Sequence, residues 1–220
     1  MNSHFPQTIQ EAKEFQKKIA NKVILEDMLS EIKTIGAFDI SYKQDKAFTA
    51  GIIIDNATEE VLEEEVIVSE IQFPHIPTFL FLREVPSFIA LLSKISIKPD
   101  LVLIDGHGIA HPKNAGSATV FGVLANIPSI GVAKKPLKFF EYSSSEVKYL
   151  KQVFLNEKFV GYKYQPNTNW NPVFISPGNL VSVKSSFTSI QNLFKSRFKL
   201  PAPLHKAHNL ATEFRNKHLT

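Results

Sequence analysis

Three carboxylates and a lysine stand where this sequence could do chemistry: Asp39, Glu84, Asp105 and Lys134. Asp105 closes Leu101–Ile104, an apolar run of strand length rich in β-branched residues, which is how a strand buried on both faces reads. A carboxylate at the carboxyl end of such a strand, followed by a Gly-rich turn, sits where open α/β sheets place their ligands. Gly106 and Gly108 would let another chain, a base or a phosphate approach the backbone closely, although Asp-Gly equally suits an ordinary turn. Asp39 lies between Phe38 and Ile40 within a second strand-like run, either on a solvated face by alternation or in a site. Glu84 falls at a helix start, where the dipole favours an acid regardless of function. Lys134 ends a further buried strand on the same edge as Asp105; it is either solvated or placed to meet a phosphate. Carboxylates brought together would repel and neutralise one another through raised pKa values, so a divalent cation is the economical reason for gathering them.

Composition narrows the chemistry. At 220 residues, 44% hydrophobic and 21% charged, the chain is an ordinary globular one, expected to form a single domain over residues 1–220. The absence of cysteine excludes disulfides and thiolate metal sites, so a bound metal must use carboxylate, carbonyl, imidazole or water ligands, which suit Mg²⁺ or Mn²⁺. It also suits a cytoplasmic protein. Met1 to Lys18 is charged throughout and lacks the apolar core of a signal peptide, and no stretch approaches the ~20 apolar residues of a membrane span. The net charge of +4 is unevenly laid out: Asp55 to Glu70 holds seven acids and no Lys or Arg, whereas Phe187 to Thr220 holds six basic residues against Glu213. The basic end suggests a polyanionic partner or a solvated face.

The elements that must position these groups follow from periodicity. Ile9 to Ile32 reads as an amphipathic helix. Thr34–Ser41, Ala47–Ile54 and Val61–Ile71 read as strands whose short polar links make an antiparallel meander. A Pro-punctuated loop, Phe73 to Pro77, leads to a helix bearing Val85, Phe88, Ile89, Leu92 and Ile95 on one face. The strand ending at Asp105, a helix from Ala118 to Leu124 and the strand Ser129–Ala133 make a parallel pair. Beyond them come strand-like pieces at Lys158–Gln165 and Pro172–Ile175, the latter closing on a turn at Ser176–Asn179. A helical stretch at Ser186–Ser196 and a last helix at Pro203–Arg215 complete the chain. Meander, helix, strand, helix, strand is the order of the ribonuclease H-like fold: a mixed α/β sheet, with a three-strand antiparallel meander plus parallel strands, flanked by helices. In that fold, carboxylates from the first strand, first helix and fourth strand gather around Mg²⁺.

Several separated motifs carry a family resemblance. Gly-Ala-Phe-Asp39-Ile-Ser, Phe-Leu-Arg-Glu84-Val-Pro, Pro-Asp-Leu-Val-Leu-Ile-Asp105-Gly-His-Gly-Ile-Ala-His111-Pro, Ile-Pro-Ser-Ile-Gly-Val-Ala-Lys134-Lys-Pro-Leu and Pro-Val-Phe-Ile-Ser-Pro-Gly resemble endonuclease V, in that family's order, from about Gly36 to about His208. The resemblance implies a Mg²⁺-dependent endonuclease (Mn²⁺ substituting) of DNA repair or RNA processing. It would act on inosine-containing DNA, and RNA, cutting the second phosphodiester 3′ to the hypoxanthine. It makes Asp39, Glu84 and Asp105 the metal-binding carboxylates and matches His208 to the residue completing the site. Lys134 would stabilise the phosphate or align the attacking water, and His111 would line the nucleic-acid path. His75, Ile76, Pro77 and Thr78, with Gly106 and Gly108, would meet the base in a monomeric enzyme.

The departures from the family pattern bear on lesion preference. Where the family usually reads Pro-Tyr-Ile-Pro-Gly, this chain has Pro74-His75-Ile76-Pro77-Thr78. Histidine can stack on a base, but Thr78 carries a Cβ that limits its conformations. Asn179 stands where a histidine is expected. Three alternatives stay open: a ribonuclease H-like nuclease with RNA or structure preference, a nucleic-acid-binding protein with weakened catalysis, and a hydrolase using His107 and His111 as metal ligands. Gly108 and Pro112 argue against the helix that the last would need. No Gly-x-Ser-x-Gly elbow, phosphate-binding loop or dinucleotide fingerprint is present.

Overall fold

The computed structural model describes residues 5–28, 31–144, 149–195 and 197–218. Strands β1 (Thr34–Lys43), β2 (Lys46–Asp55) and β3 (Val61–Glu70) form the antiparallel meander. β4 (Leu101–Ile104) and β5 (Ser129–Ala133) extend it in parallel from β1. β9 (Val173–Asn179), β8 (Lys158–Tyr164), β7 (Leu150–Leu155) and β6 (Glu141–Tyr142) continue the sheet antiparallel, giving, among the described residues, nine strands in the order β3-β2-β1-β4-β5-β9-β8-β7-β6. This is the ribonuclease H-like mixed sheet that the order of elements predicts.

Helices cover both faces, and the alternation of β4 shows why its sequence is apolar without a break. Val102 and Ile104 pack with Phe38 against α1 (Ile9–Ala20), α2 (Phe81–Leu92) and α3 (Ser117–Ala125). Leu101 and Leu103 pack with Ile35 and Ala37 against the opposite layer, where α5 (Ala202–Lys217) contributes Leu204 and Ala207. A strand sandwiched this way has no solvated side to mark with polar residues. Among the described residues no helix is long and apolar enough to cross a membrane.

Three predicted elements differ. The first helix is capped by Thr8 and Glu11 in a capping box but ends at Ala20, not Ile32. The segment that follows is taken by the end of β9: Ile24 N–H donates to Asn179 Oδ1 (3.0 Å), and Leu180 N–H donates to the Ile24 carbonyl (2.7 Å). Long-range bonds outbid a helical pattern there; positions 29 and 30 of the predicted helix lie outside the described residues. Ser176–Asn179 is not a turn but the continuation of β9, paired with β5. The predicted helix Ser186–Ser196 is a short α4 (Ser185–Thr188) and a 3₁₀ turn (Gln191–Leu193), because Ile190 leaves helical conformation at ψ −1°; Ser196 lies outside the described residues. β6 and β7 have no counterpart in the sequence reading.

Candidate active site

The parallel register of β1 and β4 pairs Phe38 with Ile104, so the next residue on each strand is an acid, Asp39 and Asp105. Alternation places both on the face of Ile35, Ala37, Leu101 and Leu103, the face that α5 covers. One residue beyond buried Ala207, His208 of α5 reaches Asp39: its Nδ1–H donates to Asp39 Oδ2 at 2.6 Å. Asp39 itself is 5% exposed, and its Oδ1 accepts from the Ile40 N–H at 2.8 Å. Lys134, one residue past β5, brings Nζ to 2.5 Å from Asp105 Oδ2. Asp39, Asp105 and His208 each offer one ligand atom within 4.8 Å of the others.

Glu84 sits in the first turn of α2, as the sequence predicts, and faces the same place from the other side. It does not join that triplet, but it feels both aspartates. Burial raises its pKa to about 8, Asp105 and Asp39 push in the same direction, and a hydrogen bond donated by the Ser117 hydroxyl opposes them. Asp105 is raised to about 6, by burial and then by Asp39, against the pull of Lys134. With Glu84 and Asp105 raised in this way, the three acids and His208 are a donor set for a hard divalent cation, with oxygen ligands and one imidazole.

Beside the acids opens a mostly apolar cavity of about 680 Å³, bounded by Thr78, Glu84, Asp105, His111, Ser117 and Lys134 among others. Of the residues that the resemblance assigns to nucleic-acid contact, Pro77, Thr78, Gly106 and His111 line it. His75 is exposed and Ile76 packs partly into the core; neither lines the cavity. Gly108 does not line it either: a Cβ there would lie 2.0 Å from the Pro177 carbonyl oxygen, so this glycine is required by β9. Burial, then Lys113, lowers His111 to about 4; burial, then His111, lowers His107 to about 4. Both are neutral rings at pH 7. His107 Nε2 meets the Lys135 carbonyl (3.1 Å), which assigns the proton to Nε2.

Four residues of this neighbourhood are absent from the sequence reading. Ser117 bonds Glu84; Arg83 donates to the Phe73 carbonyl (3.0 Å) and lies 5.0 Å from the Tyr42 ring centroid. Burial, then Glu84, pushes the Tyr42 phenol up. Lys199, its own pKa lowered by partial burial and by Lys134, adds a second cation near Asp105. Ser117 alone had a visible signal, a hydroxyl at a helix start; its partner, 33 residues away, had none. Asn179, the departure from the family's histidine, is a buried brace: it accepts from Ile24 N–H and donates Nδ2–H to the Gly122 carbonyl (3.1 Å).

The chain resembles known proteins in sequence and in fold. Residues 17–209 match the family model described as Endonuclease V. Endonuclease V of Dictyoglomus thermophilum is 34% identical over 202 residues, covering 90% of this chain and 87% of that protein. Endonuclease V of Xylella fastidiosa (strain Temecula1) is 33% identical over 212 residues, covering 93% and 88%. Among solved structures, endonuclease V from Streptomyces avermitilis superposes with a TM-score of 0.90 at 27% identity, over 100% of this chain and 98% of that one. Ciona intestinalis endonuclease V, in complex with a 24mer DNA containing an inosine followed by a ribo-adenosine, gives 0.85 at 21% identity, over 96% and 99%. With the acids, His208 and Lys134 converging on one edge of a ribonuclease H-like sheet and the match spanning most of its length, the chain belongs to the Endonuclease V family, a family of nucleases.

Proposed function

We propose that this protein is a Mg²⁺-dependent endonuclease that recognises hypoxanthine in inosine-containing nucleic acid and cuts the second phosphodiester on its 3′ side. The observation that carries the reading is the convergence of Asp39, Asp105 and His208 beside a cavity roomy enough for a purine. The Ciona complex with inosine-containing DNA supports the choice of lesion.

Asp39, Asp105 and Glu84 would hold the cation, with His208 completing the set. Bound there, a divalent cation supplies Lewis acidity toward water and offsets charge on a phosphate. His208 orients Asp39 through their hydrogen bond, and Ser117 orients Glu84. Lys134 is poised to offer its ammonium to a phosphate oxygen as negative charge builds in the transition state, at the cost of its ion pair with Asp105. The neutral rings of His107 and His111, with Pro77, Thr78 and Gly106, form a dry wall for a planar base. His75 at the exposed loop would stack beside it. Asp39, Asp105 and Lys134 lie on or just past strands of one sheet, and Glu84, Ser117 and His208 lie on helices packed against it, which supports one domain over residues 1–220; in this reading it acts as a monomer.

The test is a side-by-side assay of matched DNA and RNA strands, each with one inosine or one adenosine, with Mg²⁺ or EDTA and the cut positions mapped. Cleavage one nucleotide beyond the inosine's own 3′ phosphodiester, only with metal, is expected. Equal cutting of inosine and adenosine strands would replace this reading with that of a structure- or RNA-directed nuclease.

A further inference from the structure

Gln16 is out of place by composition. It sits on the face of α1 that buries Ala12 and Ile19, and it is only 2% exposed. A buried amide on an apolar face must find partners, and Gln16 finds two. Its Nε2 donates to the Thr78 carbonyl and to the Ala115 carbonyl, each at 3.1 Å. A side-chain amide has two N–H groups, so both are spent.

The two carbonyls belong to segments that line the cavity from different parts of the chain. Pro77 and Thr78 contribute on one side, and Gly116 and Ser117 directly follow Ala115. Thr78 moreover has φ +74°, a left-handed conformation that a β-branched residue adopts only when its surroundings hold it. What holds it here is the Gln16 amide on its carbonyl.

We propose that Gln16 is a positioning residue for base recognition: its amide sets the spacing of the two segments and keeps the Thr78 peptide in the orientation that shapes the cavity. This rests on reading the cavity as the base pocket. Gln16 touches none of the acids or Lys134, so its effect belongs in apparent affinity and inosine preference, not in the maximal rate.

The experiment compares wild type, Gln16→Met, Gln16→Asn and Ile19→Val in single-turnover cleavage of matched inosine and adenosine strands across enzyme concentration, with thermal melting alongside. Gln16→Met removes the donors at constant length, Gln16→Asn withdraws the amide by one methylene, and Ile19→Val loosens the same helix without touching the tie. Loss of two hydrogen bonds is expected to weaken apparent affinity for the inosine strand about tenfold, with the maximal rate within about twofold. Ile19→Val should lower the melting temperature and leave preference unchanged. Folded Gln16 variants with wild-type affinity and preference would overturn the proposal. So would an equal loss of preference in Ile19→Val, or failure of both Gln16 variants to fold while Ile19→Val folds, since the amide is then only a core brace. Equal cutting of the two strands by the wild type sinks the inosine reading itself; an inosine-preferring wild type with unaltered Gln16 variants sinks only this role.

Discussion

Asp39 and Asp105 leave adjacent parallel strands one position beyond the Phe38–Ile104 pair and share one face of the sheet; Asp39 is held by His208 and Asp105 by Lys134. Each acid therefore has a cationic or hydrogen-bonding partner of its own, while the two raise the cost of charging the site. The consequences can be measured.

Asp105→Asn is expected to lower Mg²⁺-supported cleavage on the order of 10²- to 10³-fold, the scale of removing one electrostatic element from a transition state. The fold already disfavours the Asp105 charge, so the melting temperature in EDTA should hold or rise. A large fall in melting temperature with cleavage intact would make Asp105 a structural residue.

Stability of the metal-free protein should depend on pH through Glu84, raised from 4.5 to about 8. The folded state then binds more protons than the unfolded one between those values. The Glu84 contribution is full below pH 4.5 and is lost as pH rises through 8. His107 and His111, lowered to about 4, act oppositely and lose stability as pH falls from 6.5 through 4. Urea midpoints of wild type and Glu84→Gln in EDTA, taken from pH 5 to 9, separate the two, because the histidines cancel in the difference. That difference should favour Glu84→Gln increasingly toward pH 9; a pH-independent difference contradicts the assignment.

Asn179→Ala should cost about 2 kcal/mol, the scale of leaving buried donors and acceptors unpaired. It would strand the Ile24 N–H and the Gly122 carbonyl. Denaturant unfolding should show the loss, while metal-dependent cleavage at a temperature where the variant is folded stays near wild type.

Thr78→Gly should stabilise the protein by up to about 1 kcal/mol, since glycine adopts φ +74° without the Cβ penalty but gives back part of the gain as chain entropy. A clear loss of stability would mean that Thr78 makes compensating contacts through its side chain.

How much of this could be read in advance divides along physical lines. Local pattern sufficed for the meander, for the doubly buried β4 and for Glu84 in the first turn of α2, because period and burial are written in neighbouring residues. Motif order grouped Asp39, Asp105, Lys134 and His208, and the structure brings their side chains together. Pairings across the chain were not legible. Ser117 with Glu84, Gln16 with Thr78 and Ala115, and Asn179 with Ile24 and Gly122 join residues 33 to 155 positions apart, and a lone polar residue carries no record of its partner. The same lack hid the early end of α1, where the competing bonds come from β9, and the strand continuing through Ser176–Asn179. Sequence alone thus determined which groups are present to do chemistry. Only the tertiary structure decided which of them share an edge of the sheet and how strongly burial opposes their charges, because both depend on distance and dielectric in the folded chain.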